Sequence, residues 1–163
     1  MNKIYLANNR GVVLVDEDNY MGLNTFNWKL CNTGYAIRNS LLREGRPRRG
    51  ILMHRQIMGV TDPKIQVDHI NHNKLDNRKC NLRLCTNTQN QYNRAMNFNS
   101  TSKYKGVYFN TALKYWVAQI QEKKHKIYLG YFKTKEAAAK AYNEAAVKHH
   151  GEFAKINKLL ESK

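Results

Sequence analysis

Alternation of apolar and polar side chains is clearest in the last third of the chain. Along 115–121, Trp116, Ala118 and Ile120 share one side of an extended segment, while Tyr115, Val117, Gln119 and Gln121 share the other. The runs 105–110 and 126–132 read the same way, with Ile127 and Leu129 opposed to Lys126 and Tyr128. Short turns separate the three runs, which predicts a three-stranded antiparallel sheet. Thr134 then offers an N-cap, Glu136 sits in a first turn, and an alanine-rich helix runs to about His150, ahead of Gly151. The small residues Ala137, Ala138, Ala141 and Ala145 let that helix lie close on the apolar sheet face. The other face stays open and carries Lys, Tyr and Gln, side chains with which a sheet reads a nucleic-acid groove.

Upstream the pattern is shorter-ranged. Residues 11–15 form an apolar strand, and Asp16-Glu17-Asp18 supplies the acidic start of a helix to about Phe26. Residues 35–40 and 51–54 read as strands around Arg43-Glu44-Gly45-Arg46-Pro47-Arg48-Arg49-Gly50, an arginine-loaded turn suited to a solvated tip or a phosphate contact. A short helix runs from His54 to Met58, and a later one opens near Asn81 and carries Asn90. The Ser/Thr/Asn run 97–102 reads as a linker. The expected architecture is α+β, with one domain over 1–96, including a β-rich leader, and a second over 103–163.

Charge adds a partner to this picture. The 163 residues include 28 Lys+Arg and 12 Asp+Glu, a net charge of +16, which favours a polyanion and nucleic acid first. Residues 1–100 and 101–163 carry +8 each, yet all ten arginines lie at or before Arg94. With 42% apolar residues the chain can bury a core, unlike a disordered basic tail. The longest apolar run, at 11–15, is far short of the roughly 18 residues a membrane helix needs. The first residues lack the apolar core of a signal peptide, so a cytoplasmic, non-secreted protein is expected. Cys31, Cys80 and Cys85 are too few for a disulfide scaffold and read as small hydrophobes. Trp28 and Trp116 read as core, His54 as a helix-start or packing residue, and His149-His150 as a favourable helix C-terminus.

The chemistry concentrates in Val67-Asp68-His69-Ile70-Asn71-His72-Asn73-Lys74-Leu75-Asp76-Asn77-Arg78-Lys79-Cys80-Asn81-Leu82-Arg83. A carboxylate beside a histidine at a strand end sets a hard-cation ligand next to a group that titrates near neutrality and can take a proton from water. Asn71 and Asn73 suit the turn that follows, because Asn tolerates left-handed backbone.

With Asp68-His69, Asn81-Leu82-Arg83 and Asn90 at these spacings, the chain resembles the HNH endonuclease family, whose ββα-metal fold is two strands and a helix around one divalent ion. The resemblance implies that His69 is the general base and that Asp68 and Asn90 bind Mg²⁺ or another divalent cation such as Mn²⁺. It also implies that Asn81 hydrogen-bonds the loop orienting His69, and that Arg83 neutralises a nearby phosphate. His72 stands where the family usually has glycine. Tyr104-Lys105-Gly106-Val107, Trp116-Val117-Ala118-Gln119-Ile120, Tyr128-Leu129-Gly130-Tyr131-Phe132 and Ala137-Ala138 with Ala141-Tyr142 look like an AP2/ERF-type DNA-binding domain. Carried over position by position, the DNA-facing set is Lys105, Tyr108, Asn110, Tyr115, Gln119, Gln121, Lys126 and Tyr128. None is arginine, the usual bidentate reader of guanine, so strong G·C readout is not expected here.

The order of the two resemblances matches phage HNH homing endonucleases. It implies double-stranded DNA as partner, phosphodiester hydrolysis at a recognised site by nicking or double-strand cleavage, and, for a phage-encoded protein, the host cytoplasm, with no small-molecule cofactor. A monomer would nick one strand and a dimer could cut both. Two other readings stand beside it: a DNA-binding protein on an inactive nuclease fold, and a zinc-stabilised domain using His69, His72, Cys80 and Cys85.

Overall fold

The computed structural model describes residues 1–7, 10–40, 49–96 and 100–159. Residues 43–48 of the arginine-loaded turn and 97–99 of the expected linker lie outside the described residues. The chain divides into two compact units, Met1–Asn87 and Thr88–Lys163. Both mix short helices with small antiparallel sheets, in keeping with the α+β expectation. Among the described residues no helix is long and apolar enough to cross a membrane.

In the first unit the apolar run becomes β2 (Val12–Val15), paired antiparallel with β1 (Asn2–Tyr5). Its alternate residues Val13 and Val15 are fully buried, as period-two geometry requires of a strand with one covered face. Asp16 opens α1 (Glu17–Asn24) without capping it; its carboxylate instead accepts from the Lys79 N–H at 2.6 Å. β3 (Lys29–Leu30), β4 (Ala36–Asn39) and β5 (Gly50–Leu52) form a three-stranded sheet that leads into α2 (Met53–Ile57). The core gathers Ile4, Leu6, Val13, Val15, Leu23, Trp28, Ala36 and Met53. Trp28 belongs to it as expected, and its indole N–H donates to Leu23 O at 2.8 Å. β6 (Gln66–His69) pairs antiparallel with β7 (Leu82–Cys85). The sequence placed a helix from Asn81; instead Lys79–Asn81 is one 3-10 turn, 82–85 is strand, and α3 (Asn87–Asn93) starts six residues later.

The second unit holds β8 (Val107–Asn110), β9 (Tyr115–Glu122) and β10 (His125–Phe132) in the order β10-β9-β8, followed by α4 (Lys135–His150). Thr134 caps α4 through Oγ1, which accepts from Ala137 N at 3.2 Å. The helix buries Ala138, Ala139, Tyr142, Ala145 and Ala146, whereas Ala137 is exposed, so the contact stripe is shifted by one residue from the expected one. Trp116 packs half-buried against this core.

Gly106 makes the close approach possible. Its φ is +73°, and a Cβ there would lie 2.2 Å from the Tyr142 ring and 2.5 Å from Gln119 O. Gly22 in α1, by contrast, has open space around the same position. Gly106→Ala is therefore expected to lower the stability of the second unit by about 3 kcal/mol, combining left-handed strain with overpacking. Gly22→Ala should raise that of the first by about 0.5 kcal/mol. Urea unfolding resolved by Trp116 and Trp28 fluorescence checks both. Equal midpoints for Gly106→Ala and wild type would contradict the packing described.

Candidate active site and nucleic-acid interface

Strand pairing sets the first two site residues. Asp68 lies opposite Arg83 and His69 opposite Leu82. Across that register Arg83 Nε and one terminal nitrogen donate to Asp68 Oδ2 at 3.0 and 2.8 Å, with the side chains only 12% and 7% exposed. Arg83 is thus a strand residue holding a carboxylate. These charge-assisted bonds hold Oδ2 of the carboxylate against the strand pair.

The loop 70–81 that follows His69 is held by a dense polar network. Ile70 N donates to Asn81 O at 3.0 Å, closing the loop at its base. The Asn81 amide bridges the loop's interior: Oδ1 accepts from Asn71 N at 3.0 Å, and Nδ2 donates to Asp76 O at 2.7 Å. Asn71 Oδ1 accepts from Asn73 N, and Asn73 Oδ1 from Leu75 N, two successive Asx turns that use the side chain to satisfy the backbone two residues on. His72 has φ +65°, the left-handed conformation that explains why glycine is usual at this position. Asp76 accepts from Arg78 at 2.7 Å on each oxygen and from Asn71 Nδ2 at 2.9 Å; the Arg78 guanidinium holds its carboxyl below the usual range. The loop is stitched to β2 by Leu14 N to Leu75 O and Asn77 N to Leu14 O, both 2.8 Å.

His69 itself is 4% exposed, and its Nε2 faces Asn77 Oδ1 at 3.3 Å. The Asn77 amide nitrogen donates to Lys74 O, which leaves its oxygen toward His69. That oxygen can only accept, so the ring proton sits on Nε2 and Nδ1 is the basic nitrogen. Burial pushes the His69 imidazole below its ordinary pKa, against the opposing pull of Asn77, Asp68 and Asp76. The ring also packs edge-on against His54, centroids 5.1 Å apart, and lies 5.8 Å from Tyr35. His54 is pushed down to about 3, first by burial. Tyr35 is pushed up by burial and by the Asp68 charge. His54 is thus a packing histidine, as expected, but what it packs on is His69. Tyr35 and Asn77 escaped the sequence reading. Asn77 lies inside the Asp-His signature, and a buried Asp-Asn pair there is the signal that would have found it.

Among the described residues no three His, Cys, Asp or Glu side chains gather into a metal-binding group. His69, His72, Cys80 and Cys85 therefore do not assemble the zinc set weighed above. Cys80 is exposed; Cys85 is buried, which pushes its thiol up to about 11. Asn90 lies half-buried on α3, within the second unit.

In the second unit, cross-strand pairing brings Tyr108, Tyr115, Gln119, Gln121, Lys126 and Tyr128 to one sheet face, through Asn110↔Tyr115, Tyr108↔Val117, Gln119↔Tyr128 and Gln121↔Lys126. A β-bulge between Tyr128 and Gly130 adds Tyr131 to that face, opposite Val117. Unbroken alternation would put Tyr131 on the side of Ile127 and Leu129; the glycine within the strand marks the bulge. The four tyrosines are 38–64% exposed and cover the buried Val117. Asn110 spends Oδ1 on the turn, accepting from Ala112 N and Leu113 N. Lys105 precedes β8, and its ammonium donates to two backbone carbonyls, Tyr92 O and Arg94 O.

Comparison with known proteins bears on both halves. The HNH endonuclease family profile matches residues 51–92, the stretch holding His54, Asp68, His69, Asn81, Arg83 and Asn90. An uncharacterized HNH endonuclease of Acanthamoeba polyphaga mimivirus is 30% identical over 153 residues, 89% of this chain and 74% of that protein. An AP2-like ethylene-responsive transcription factor of Arabidopsis thaliana is 42% identical over 60 residues, 37% of this chain but 12% of that factor. An APETALA2-like protein of Oryza sativa is 42% identical over 57 residues, 35% of this chain and 13% of its own length. No solved structure matches the chain. A loop tied around a buried Asp-His pair, in a stretch that this profile matches and in a chain aligned along most of a viral relative, places the protein in the HNH endonuclease family.

Proposed function

We propose that the protein is a divalent-metal-dependent DNA endonuclease of homing type that hydrolyses phosphodiester bonds at a site its second unit helps to select. The observation that carries this reading is His69: a buried, neutral imidazole with its proton fixed on Nε2 by Asn77, beside the Asp68–Arg83 pair. A neutral histidine with an oriented lone pair is a ready general base. His69 takes a proton from water at Nδ1 as the water attacks phosphorus in line with the leaving 3′-oxygen. Asn81 holds the loop so that His69 keeps this orientation. Arg83 holds the Asp68 carboxylate through its guanidinium and would also neutralise a nearby phosphate. Asp68 and Asn90 would hold the cation. A carboxylate and an amide offer only hard oxygen donors, which suits Mg²⁺ or Mn²⁺ and leaves room for water and phosphate. When bound, such an ion stabilises charge developing on the phosphoryl oxygens and leaving group.

The second unit is read as AP2-like, its partners in the plant proteins being short stretches of long chains. Tyr108, Tyr115, Tyr128 and Tyr131 with Gln119, Gln121 and Lys126 would face the duplex. Tyrosine rings and glutamine amides favour thymine methyls and adenine over guanine. The sequence order of nuclease segment and sheet unit supports the homing-type reading, and a phage-encoded enzyme of this kind would act in a host cytoplasm.

The wild-type chain is expected to nick or linearise supercoiled plasmid with Mg²⁺ and to be inert in EDTA. His69→Ala should slow single-turnover cleavage by about 10³-fold, the scale of a lost general base, while duplex affinity stays within about twofold. Cleavage by His69→Ala at the wild-type rate would remove His69 from the role of base. Tyr131→Ala should weaken binding to duplex DNA about tenfold, the scale of one lost base contact. An unchanged dissociation constant in a fluorescence-anisotropy titration would take Tyr131 off the DNA-facing set.

A further inference from the structure

The helix that carries Asn90 is only seven residues long. So short a helix does not persist without tertiary support, and whatever supports it decides where Asn90 stands. Its last turn contains no basic residue of its own to meet the C-terminal carbonyls. The cation comes from Lys105, whose Nζ donates to Tyr92 O at 2.5 Å and Arg94 O at 2.7 Å. The Tyr92 ring lies flat on His150 of α4, centroids 3.7 Å apart at 7°. Its hydroxyl accepts from Lys123 N at 2.7 Å. The His150 ring in turn donates from Nε2 to Gln121 O at 2.8 Å. These groups border a cavity of about 200 Å³, and all belong to the second unit.

Lys105 is an expensive way to secure a helix end. It makes no ion pair with a carboxylate among the described residues, and burial together with the Lys155 and Arg94 charges pushes it down to about 8. A half-buried ammonium held by carbonyls alone costs stability that a packed apolar side chain would not. What it provides is direction, two donors aimed at two carbonyls. Its own backbone is fixed as well: Lys105 N donates to Asn157 Oδ1 at 2.6 Å, and Asn157 Nδ2 donates back to Lys105 O at 3.1 Å. Asn157 is locked to α4 by a reciprocal pair of bonds with Asn143, at 2.7 and 2.9 Å. A lysine that serves as a phosphate contact has no need of such a mount.

We propose that Lys105 is a positioning residue of the nuclease: by tying the C-terminal carbonyls of α3 to the base of β8, it sets the place of Asn90 and so the affinity for the divalent ion, and it makes no contact with DNA. The proposal rests on the reading of Asn90 as a metal ligand, and it moves Lys105 out of the DNA-facing set expected from the sequence.

The test uses the full chain in a His69→Ala background, which keeps the duplex intact, with Mn²⁺ as the probe. Loss of the free-ion EPR signal gives the Mn²⁺ dissociation constant in the presence of a short duplex. Fluorescence anisotropy gives duplex affinity without metal. Lys105→Met should raise the Mn²⁺ dissociation constant about tenfold, the scale on which residues supporting a ligand act, with duplex affinity unchanged. Lys105→Arg, which keeps a cationic fork for the two carbonyls, should restore Mn²⁺ affinity to within about threefold. Tyr92→Leu removes the stack on His150 without touching Lys105 and should shift Mn²⁺ affinity in the same direction, so the result does not hang on one variant folding. If Lys105→Met and Tyr92→Leu bind Mn²⁺ as tightly as their parent while Asn90→Ala does not, the positioning role is overturned and the ligand assignment stands. Weaker duplex binding by Lys105→Met at unchanged Mn²⁺ affinity makes Lys105 a phosphate contact and overturns the proposal. Unchanged Mn²⁺ affinity in Asn90→Ala removes the ligand assignment and the proposal together.

Discussion

The side-chain amide of Asn81 is the tie on which the nuclease half depends. Between His69 and β7 the chain makes a polar loop with no hydrophobic core of its own, and a segment of that kind stays ordered only if its backbone groups are satisfied internally. Asn81 satisfies one donor and one acceptor at separate points of the loop, Asn71 N and Asp76 O. It is itself buried, 6% exposed, and its bond to Asp76 O lies where water does not compensate for its loss. Through Asp76 the tie extends to Arg78 and back to Asn71; through Asn77 it reaches β2 and the His69 ring. Removing one amide therefore leaves Asn71 N and Asp76 O unmatched at once, the situation in which a polar network loses more than one pair's energy.

That network explains an otherwise odd distribution of buried polarity. Asp68, His69, Asp76, Asn77 and Asn81 are all at least nine-tenths buried, in a unit whose apolar core lies around Trp28 and Met53. Ordinary domains do not bury such a set without return. Here Arg83 and Arg78 neutralise the two carboxylates, and the geometry leaves a histidine neutral, oriented and adjacent to a fixed carboxylate. The second unit shows the opposite arrangement: alanines and Tyr142 close one sheet face against α4, and its exposed chemistry is a tyrosine-rich plane. Equal positive charge in the two halves thus serves different ends. Among the described residues, Arg78 and Arg83 of the first half hold buried carboxylates, and lysine in the second half is mostly solvated.

Much of this was legible from residue order because the strongest signals were local. Period-two alternation located β9 and β10, Thr134 and Gly151 bracketed α4, and the Asp-His signature fell in the stretch that the HNH family profile matches. The misreadings arose where one residue breaks a period or where long-range contact decides. Gly130 inserts a bulge, and everything after it in β10 changes face, so Tyr131 joins the open side. Leu82-Arg83-Leu84-Cys85 lacks a clean alternation, yet pairing with β6 makes it a strand and turns Arg83 toward Asp68. Lys105 looks like one more basic residue next to a strand; only the fold shows its ammonium among carbonyls that lie 11 and 13 residues away. His72 was visible as a departure from glycine, and its positive φ supplies the reason.

On the proposed reading Asn81 acts through His69, by holding the loop that makes a buried histidine into a base. A double-mutant cycle on single-turnover DNA cleavage with Mg²⁺ addresses it directly, comparing Asn81→Ala, His69→Ala and the double variant with wild type. The account predicts that Asn81→Ala alone slows cleavage about 10²-fold, at the lower end of what a general base supplies, and that it costs little more once His69 is gone. The same fold-loss in both backgrounds, or a wild-type rate for Asn81→Ala, would contradict it.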